Sequence, residues 1–187
     1  MTRILGLSGS LRSRSLNSAL LASAATLMPA GAELEIGTIK GIPLYDGDVE
    51  AQGIPPAVAA LKERLAQADG LLLVTPEYNN SMPGVFKNAI DWLTRPPADV
   101  PRLFRNRPVA IIGASPGGFG TVLSQTAWLP VLRTLGTRPW FGGRLQVSHA
   151  NTKFDDDGKL KDEELRQQLT NFLKGFVEFV AENRRSD

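Results

Sequence analysis

The chain has no cysteine and a single histidine, His149, among its 187 residues. Without thiols there is no disulfide framework, no thiolate metal or iron–sulfur site and no thiol nucleophile. One imidazole cannot build a histidine-based metal cluster either. Charge of one sign is not in excess, since 21 Lys and Arg stand against 19 Asp and Glu for a net of +2. Nucleic-acid-binding domains concentrate basic residues in a patch or stripe. Here the densest basic groups are Arg12 with Arg14, and Arg102, Arg105 and Arg107, the second of which suits solvated loop charges. No run approaches the ~18 apolar residues of a membrane span. The opening Met1-Thr2-Arg3-Ile4-Leu5-Gly6-Leu7 is too short and too soon polar for a secretory leader. The expectation is a protein of the cytoplasm that binds neither nucleic acid nor membrane. Two phosphate-binding fingerprints, G-x-G-x-x-G and G-K-[ST], are missing as well.

What is present is an ordinary apolar content, 42% of residues, and an alternation of strands and helices. A chain of this length buries roughly 70% of its unfolded surface, enough for a core without staples. Residues 1–187 are expected to form one domain. Arg3 to Ser8 reads as a strand and Leu16 to Met28 as a helix, stopped by Pro29 and Gly31. A short strand, Glu33 to Thr38, is followed by a Gly-, Pro- and Asp-rich loop from Lys40 to Gln52. Pro55-Pro56 opens a helix carrying Val58, Leu61, Leu65 and Ala68 on one face. The runs Leu71-Leu72-Leu73-Val74 and Val109-Ala110-Ile111-Ile112 are apolar at every position, as in strands covered on both sides. Between them a helix is expected from Pro83 to Thr94, with Phe86, Ile90 and Leu93 inward and Trp92 off that stripe, available as a subunit-interface anchor. A helix from Thr121 to Leu135 contains Pro130, which should kink or shorten it. Arg138 to Val147 reads as one broken strand, and a last helix spans Leu160 to Val180. Such alternation implies a parallel sheet with helices on both faces, and five strands favour the flavodoxin-like order 2-1-3-4-5. Ligands of such sheets bind at the carboxyl ends of the strands, which directs attention to three loops.

The first loop, Ser8 to Asn17, crowds Ser8, Ser10, Ser13 and Ser15 with Arg12, Arg14 and Asn17 at a helix start. Free N–H groups and the helix dipole make such a place an anion site, and a mononucleotide phosphate suits it. The alternative is a polar turn ending in a serine cap. The second loop, Thr75 to Gly84, is bracketed by Pro76 and Pro83, stiff enough to hold backbone groups and an aromatic ring against a planar ligand. It is equally an ordinary connection. The third, Gly113 to Gly120, lets a backbone approach a ligand closely. Its Gly113-x-Ser115-x-Gly117 also matches a nucleophile elbow, but no acidic residue lies between Ser115 and His149, so the required order Ser, acid, His fails. Lys153, Asp155, Asp157, Gly158 and Glu164 imitate a calcium-loop spacing with Lys153 where an acid belongs, and read better as a solvated loop.

The three loops together resemble one family. The stretches Gly9-Ser10-Leu11-Arg12-Ser13-Arg14-Ser15-Leu16-Asn17, Pro76-Glu77-Tyr78-Asn79-Asn80-Ser81-Met82-Pro83-Gly84 and Lys87-Asn88-Ala89-Ile90-Asp91-Trp92, with Ile42-Pro43-Leu44-Tyr45-Asp46, are similar to the NADPH-dependent FMN reductases of flavodoxin-like fold, which include bacterial quinone and chromate reductases. The resemblance implies FMN as cofactor and NADPH or NADH as reductant. It implies Ser10, Arg12, Ser15, Leu16 and Asn17 at the FMN phosphate, and Pro76, Glu77, Tyr78 and Asn79 along the isoalloxazine, partly through backbone atoms. Ser115, Gly117 and Gly118 would approach its other edge. It further implies a homodimer or homotetramer with the flavin near the subunit boundary. Some relatives read Gly-Gly-Ala-Arg where this chain has Gly120-Thr121-Val122-Leu123, and their arginine serves subunit contacts. The expected activity is hydride transfer from NAD(P)H to a small electron acceptor, a quinone or another electrophile such as free flavin, an azo compound or chromate. No protein acid or base is required of it, because the cofactor carries the chemistry. The rivals are a flavodoxin-type electron carrier, a class usually more acidic than a net of +2, and a redox-sensing flavoprotein without turnover.

Overall fold

A computed structural model describes residues 1–184. Its elements run β1 (Thr2–Ser8), α1 (Leu16–Thr26), β2 (Ala32–Gly37), α2 (Gly47–Ala51), α3 (Pro56–Gln67), β3 (Gly70–Val74), α4 (Gly84–Leu93), α5 (Val100–Leu103), β4 (Pro108–Ala114), α6 (Val122–Thr134), β5 (Arg138–Pro139), β6 (Gln146–Val147) and α7 (Glu163–Glu182). The strands form one parallel sheet in the order β2-β1-β3-β4-β5, with β6 also paired to β4. The flavodoxin-like order is therefore the observed one. The last strand is broken as expected: β5 and β6 are two-residue segments that meet the same neighbour at Pro108 and Gly113.

Alternate residues of the central strands feed two cores. Leu72 and Val74 of β3 join Ala110 and Ile112 of β4 beneath α1 and α7, where Leu165, Leu169, Phe172, Phe176 and Val180 form the expected apolar stripe. Leu71 and Leu73 face the other way, into a core shared with α3, α4 and α6 that holds Trp92 and Trp128. Full burial of a Leu or Phe side chain contributes about 1.5–3 kcal/mol, so the continuous apolar runs are what fix these strands in the middle of the sheet. Arg107, expected among solvated loop charges, instead sits wholly inside, where its guanidinium donates to the carbonyls of Leu103 and Ala68 at the ends of α5 and α3. It satisfies helix-terminal acceptors that have no partner of their own.

Three further expectations change. The loop from Lys40 to Gln52 contains a one-turn helix, α2, started by Asp46, whose carboxylate accepts from the Asp48 N–H at 2.8 Å. Pro130 does not interrupt α6; it lies on the solvent side, where water can serve the carbonyl whose helical partner it removes. Trp92 is not a surface anchor. Its ring is fully buried, its indole N–H donates to the Pro43 carbonyl at 2.9 Å, and Tyr45 packs edge-on against it at 5.1 Å. An indole off the main stripe is covered here by the loop before α2. Asn88 holds the same loop twice, donating to Pro43 O and accepting from Tyr45 N, each at 2.8 Å. Glu50 closes the latch by accepting from Arg95 and from the Tyr45 hydroxyl, both at 2.8 Å. Those bonds, Arg95 first, hold the Glu50 carboxyl below the usual range, and the bond to Glu50 raises the Tyr45 hydroxyl.

Candidate functional site

Parallel register places Ser8, Val74 and Ile112 in one row across the sheet. The three loops that follow β1, β3 and β4 therefore leave the sheet side by side, at its carboxyl end. Each is joined to the next through the backbone: Gly9 N–H donates to Val74 O at 2.9 Å and Thr75 N–H to Ile112 O at 2.8 Å.

In the first loop Ser15 caps α1, its hydroxyl oxygen accepting from Ser18 N–H at 3.2 Å. The cap reading of Ser15 is thus realised, which still leaves its hydroxyl proton to donate. The backbone N–H groups of Leu16 and Asn17, in the first turn, have no protein acceptor among the described residues. Ser10 is half-buried, with its oxygen accepting from Arg12 N–H at 3.4 Å, and Arg12, Ser13 and Arg14 are exposed. No carboxylate of the described residues pairs with Arg12 or Arg14. Orphan helix N–H groups, hydroxyls and unpaired guanidinium groups at one loop are the donor set a phosphate monoester requires. A cleft of about 260 Å³ runs from Ser10, Arg12 and Ser13 to Thr38, Ile39 and Lys40. A larger, mainly apolar groove of about 360 Å³ lies elsewhere, on the flank of α6 against Trp140 and Phe141, with Thr126 and Arg144 among the residues that line it.

Asn17 departs from its expected role. Its side chain is buried and turned across the sheet end, where Nδ2 donates to Ala114 O at 2.8 Å and Oδ1 accepts from Ala114 N–H at 2.9 Å. It ties the first loop to the end of β4, and what it presents toward an anion is its backbone N–H.

The second loop begins with buried Pro76 and half-buried Glu77 and turns back on itself at Tyr78-Asn79-Asn80-Ser81. Tyr78 and Ser81 exchange backbone hydrogen bonds at 3.0 and 3.1 Å. The two asparagines between them stand at φ of 50° and 62°, the left-handed region of tight hairpin turns that asparagine tolerates best. This explains the Asn79-Asn80 pair without a ligand, and it holds the exposed Tyr78 ring at the rim. In the third loop Ser115 Oγ accepts from Gly117 N–H at 3.2 Å, while Gly117 and Gly118 are exposed. Thr75, Ser124 and Trp128 form a buried chain behind the two loops: Thr75 Oγ1 and Ser124 Oγ lie 2.8 Å apart, and Trp128 Nε1 donates to Thr75 Oγ1 at 3.3 Å. These polar groups were not singled out in the sequence; the available signal was a Thr and a Ser interrupting apolar surroundings.

His149 comes nearer than its position in the chain suggests. Its backbone N–H donates to Gly117 O at 3.1 Å, and its ring lies beside Gly118. No hydrogen bond joins its imidazole to Ser115 among the described residues. The calcium-like spacing is likewise a solvated turn: Asp155 accepts from the N–H groups of Asp157 and Lys159, and Lys153 pairs with Asp162, the cap of α7. No cluster of potential metal ligands exists among the described residues, and no helix there is long and apolar enough to cross a membrane. Because His149 stands at φ 47°, Asn is the fitting replacement. His149→Asn should keep most of the turnover. A loss of several hundredfold with flavin still bound would assign the imidazole a chemical role.

A doubly wound parallel sheet with a phosphate-type loop after its first strand and stiff loops after its third and fourth is a flavodoxin-like nucleotide-binding protein. The profile of the NADPH-dependent FMN reductases matches residues 2–152, and the chain belongs to that family. It is 44% identical over 182 residues to an NAD(P)H-dependent FMN reductase of Pseudomonas aeruginosa, covering 97% of each chain. It is 36% identical over 176 residues to a 2-hydroxy-1,4-benzoquinone reductase of a Burkholderia species, covering 94% of each. Among solved structures, the flavoenzyme NAD(P)H:(acceptor) oxidoreductase FerB of Paracoccus denitrificans superimposes with a TM-score of 0.89 at 32% identity, over 99% of this chain and 100% of that one. The chain is accordingly an oxidoreductase that uses FMN and NAD(P)H.

Proposed function

We propose that the chain, as a single 187-residue domain, takes hydride from NADPH or NADH and delivers it to a quinone or similar electrophile. The observation that carries this reading is the row of three strand-end loops, with orphan N–H groups and unpaired arginines at one end and a stiff hairpin at the other. When bound, FMN supplies reversible two-electron chemistry. Ser10, Arg12 and Ser15, with the backbone N–H groups of Leu16 and Asn17, hold its phosphate. Pro76, Glu77, Tyr78 and Asn79 line one side of the ring slot, and Ser115, Gly117 and Gly118 the other. No side chain acts as acid or base. The quinone is favoured by the Burkholderia relative and by a quinone reductase of Escherichia coli that is 38% identical over 185 residues.

The proposed assembly is at least a homodimer built around the site. Phe119 is 84% exposed in the third loop, and Tyr78 in the second loop and Leu123 in the first turn of α6 are exposed as well, apolar surface at the strand ends that a second copy would cover. Light scattering that returned a particle of monomer mass at micromolar concentration would count against it. The cytoplasm, where NAD(P)H is held, is the proposed compartment.

One opening at the strand ends serves both substrates in this scheme, so they must use it in turn. Initial rates with NADPH at several fixed quinone concentrations should give parallel double-reciprocal lines. Enzyme reduced with NADPH and freed of nucleotide should reoxidise with quinone alone. Intersecting lines, with reoxidation dependent on bound nucleotide, would require separate and simultaneously filled sites.

A further inference from the structure

Helix α6 begins without a cap of its own. Thr121, at the capping position, makes no side-chain bond to the first turn; its hydroxyl instead accepts from Gln125 Nε2 at 3.0 Å. Yet the N–H groups of Leu123 and Ser124, the second and third residues of the helix, are both satisfied. Glu77 Oε2 accepts from them at 2.9 and 3.0 Å, across 46 and 47 residues of sequence. These are the donors that a local capping side chain normally serves, and a carboxylate there also complements the positive end of the helix dipole.

We propose that Glu77 is a positioning residue: it caps α6 from the second loop and thereby sets the width of the slot between the second and third loops, in which the flavin ring is held. The inference rests on the site reading above, and gives Glu77 a role exerted through α6 rather than by its side chain touching the ring. Three observations support it. Glu77 immediately follows buried Pro76, so its side chain is launched from a fixed point. Ser124 is tied a second time to the same segment, through its hydroxyl and Thr75 Oγ1 at 2.8 Å. Between Ser115 and Thr121 the third loop is tied at its start, by Ser115 to Val147 and Ala150 and by Gly117 to His149, so its far end, where α6 begins, depends on the bonds from Glu77 and Thr75.

The test compares three substitutions, read in the apoprotein and by flavin titration. Glu77→Gln keeps an acceptor oxygen at the same reach. Glu77→Asp draws the carboxylate back by one methylene, and Glu77→Ala removes it. Amide exchange at Leu123 and Ser124 in the apoprotein should quicken in the Asp and Ala variants and stay near wild type in Gln. FMN dissociation constants should rise about 10-fold or more in Asp and Ala and by only a few fold in Gln, with the visible circular dichroism of bound FMN altered in the first two alone. Unchanged FMN affinity in Glu77→Ala would overturn the proposal. So would a loss in Gln as large as in Ala, which would mean that the negative charge rather than the cap is used. If the wild-type protein bound no FMN, the site reading would fall, while amide exchange in the apoprotein would still decide whether Glu77 caps α6.

Discussion

Asn17→Ala should lower the stability of the apoprotein by about 2–5 kcal/mol, because it strips partners from both the N–H and the carbonyl of buried Ala114. For a chain of this size that is a fall of roughly 5–15 °C in Tm. The first loop would also lose its tie to the end of β4, so affinity for FMN and for riboflavin should fall together. A residue that contacted the phosphate through its side chain would behave otherwise, since only FMN binding would suffer and the apoprotein would melt as before. Urea or thermal unfolding without flavin, beside titrations with the two flavins, separates these outcomes. A selective loss of FMN binding at wild-type stability would sink the structural role of the Asn17 amide.

Gly113→Ala should be comparably severe. A Cβ there would fall within contact distance of both Thr121 Oγ1 and the carbonyl oxygen of Thr75. Neither neighbour can move aside cheaply. The Thr75 N–H is held by Ile112 O at 2.8 Å, its hydroxyl is tied to Ser124, and the Thr121 hydroxyl is bound by Gln125. Forcing atoms into a closed site costs about 1–3 kcal/mol, and here the displaced groups are the carbonyl that opens the second loop and the Thr121 side chain just past the third. Apoprotein stability should fall by that amount, and FMN should be retained at least about 10-fold less tightly, for each 1.4 kcal/mol of lost fit is tenfold in affinity. Gly117→Ala is the control for folding, because a Cβ at Gly117 meets only Ser115 Oγ at 3.6 Å. A Gly113→Ala protein that melted and bound flavin like the wild type would show that the loops yield more readily than their hydrogen bonds suggest.

Much of the architecture is legible in the sequence. The all-apolar runs at residues 71–74 and 109–112 are buried central strands, and the stripe from Leu165 to Val180 is the buried face of α7. Both follow from burial acting on a repeating backbone geometry, and periodicity records that. The interruption between Arg138 and Val147 was legible for the same reason, since its turn residues break the pattern. Periodicity does not record where a lone polar or aromatic side chain goes. Trp92 lies off the stripe of α4, and only the path of the loop before α2 decides that it is covered rather than displayed. The three site loops were recognisable from composition and from their place after strands. The direction of Asn17 and Glu77 was not, because their partners lie 97 and 46 residues away in sequence. In both cases a side chain that looks ready for a ligand is used on the backbone of another element, the end of β4 for Asn17 and the start of α6 for Glu77.

The broken last strand has a consequence for the behaviour of the protein in concentrated solution. An open sheet invites growth by addition of further strands wherever a long edge leaves its N–H and C=O groups free. Here one edge is made of β5 and β6, two residues each, with Phe141 to Arg144 standing between the residues that bond to β4. At the opposite edge β2 carries Glu33 and Glu35 in ion pairs with Arg3 and Arg64, and Arg64 also occupies the Ile36 carbonyl at 2.6 Å. Neither side offers an incoming strand a continuous template. Self-association by sheet extension finds no such template at either margin, and the proposed contact between copies would rest on side-chain surfaces such as Phe119.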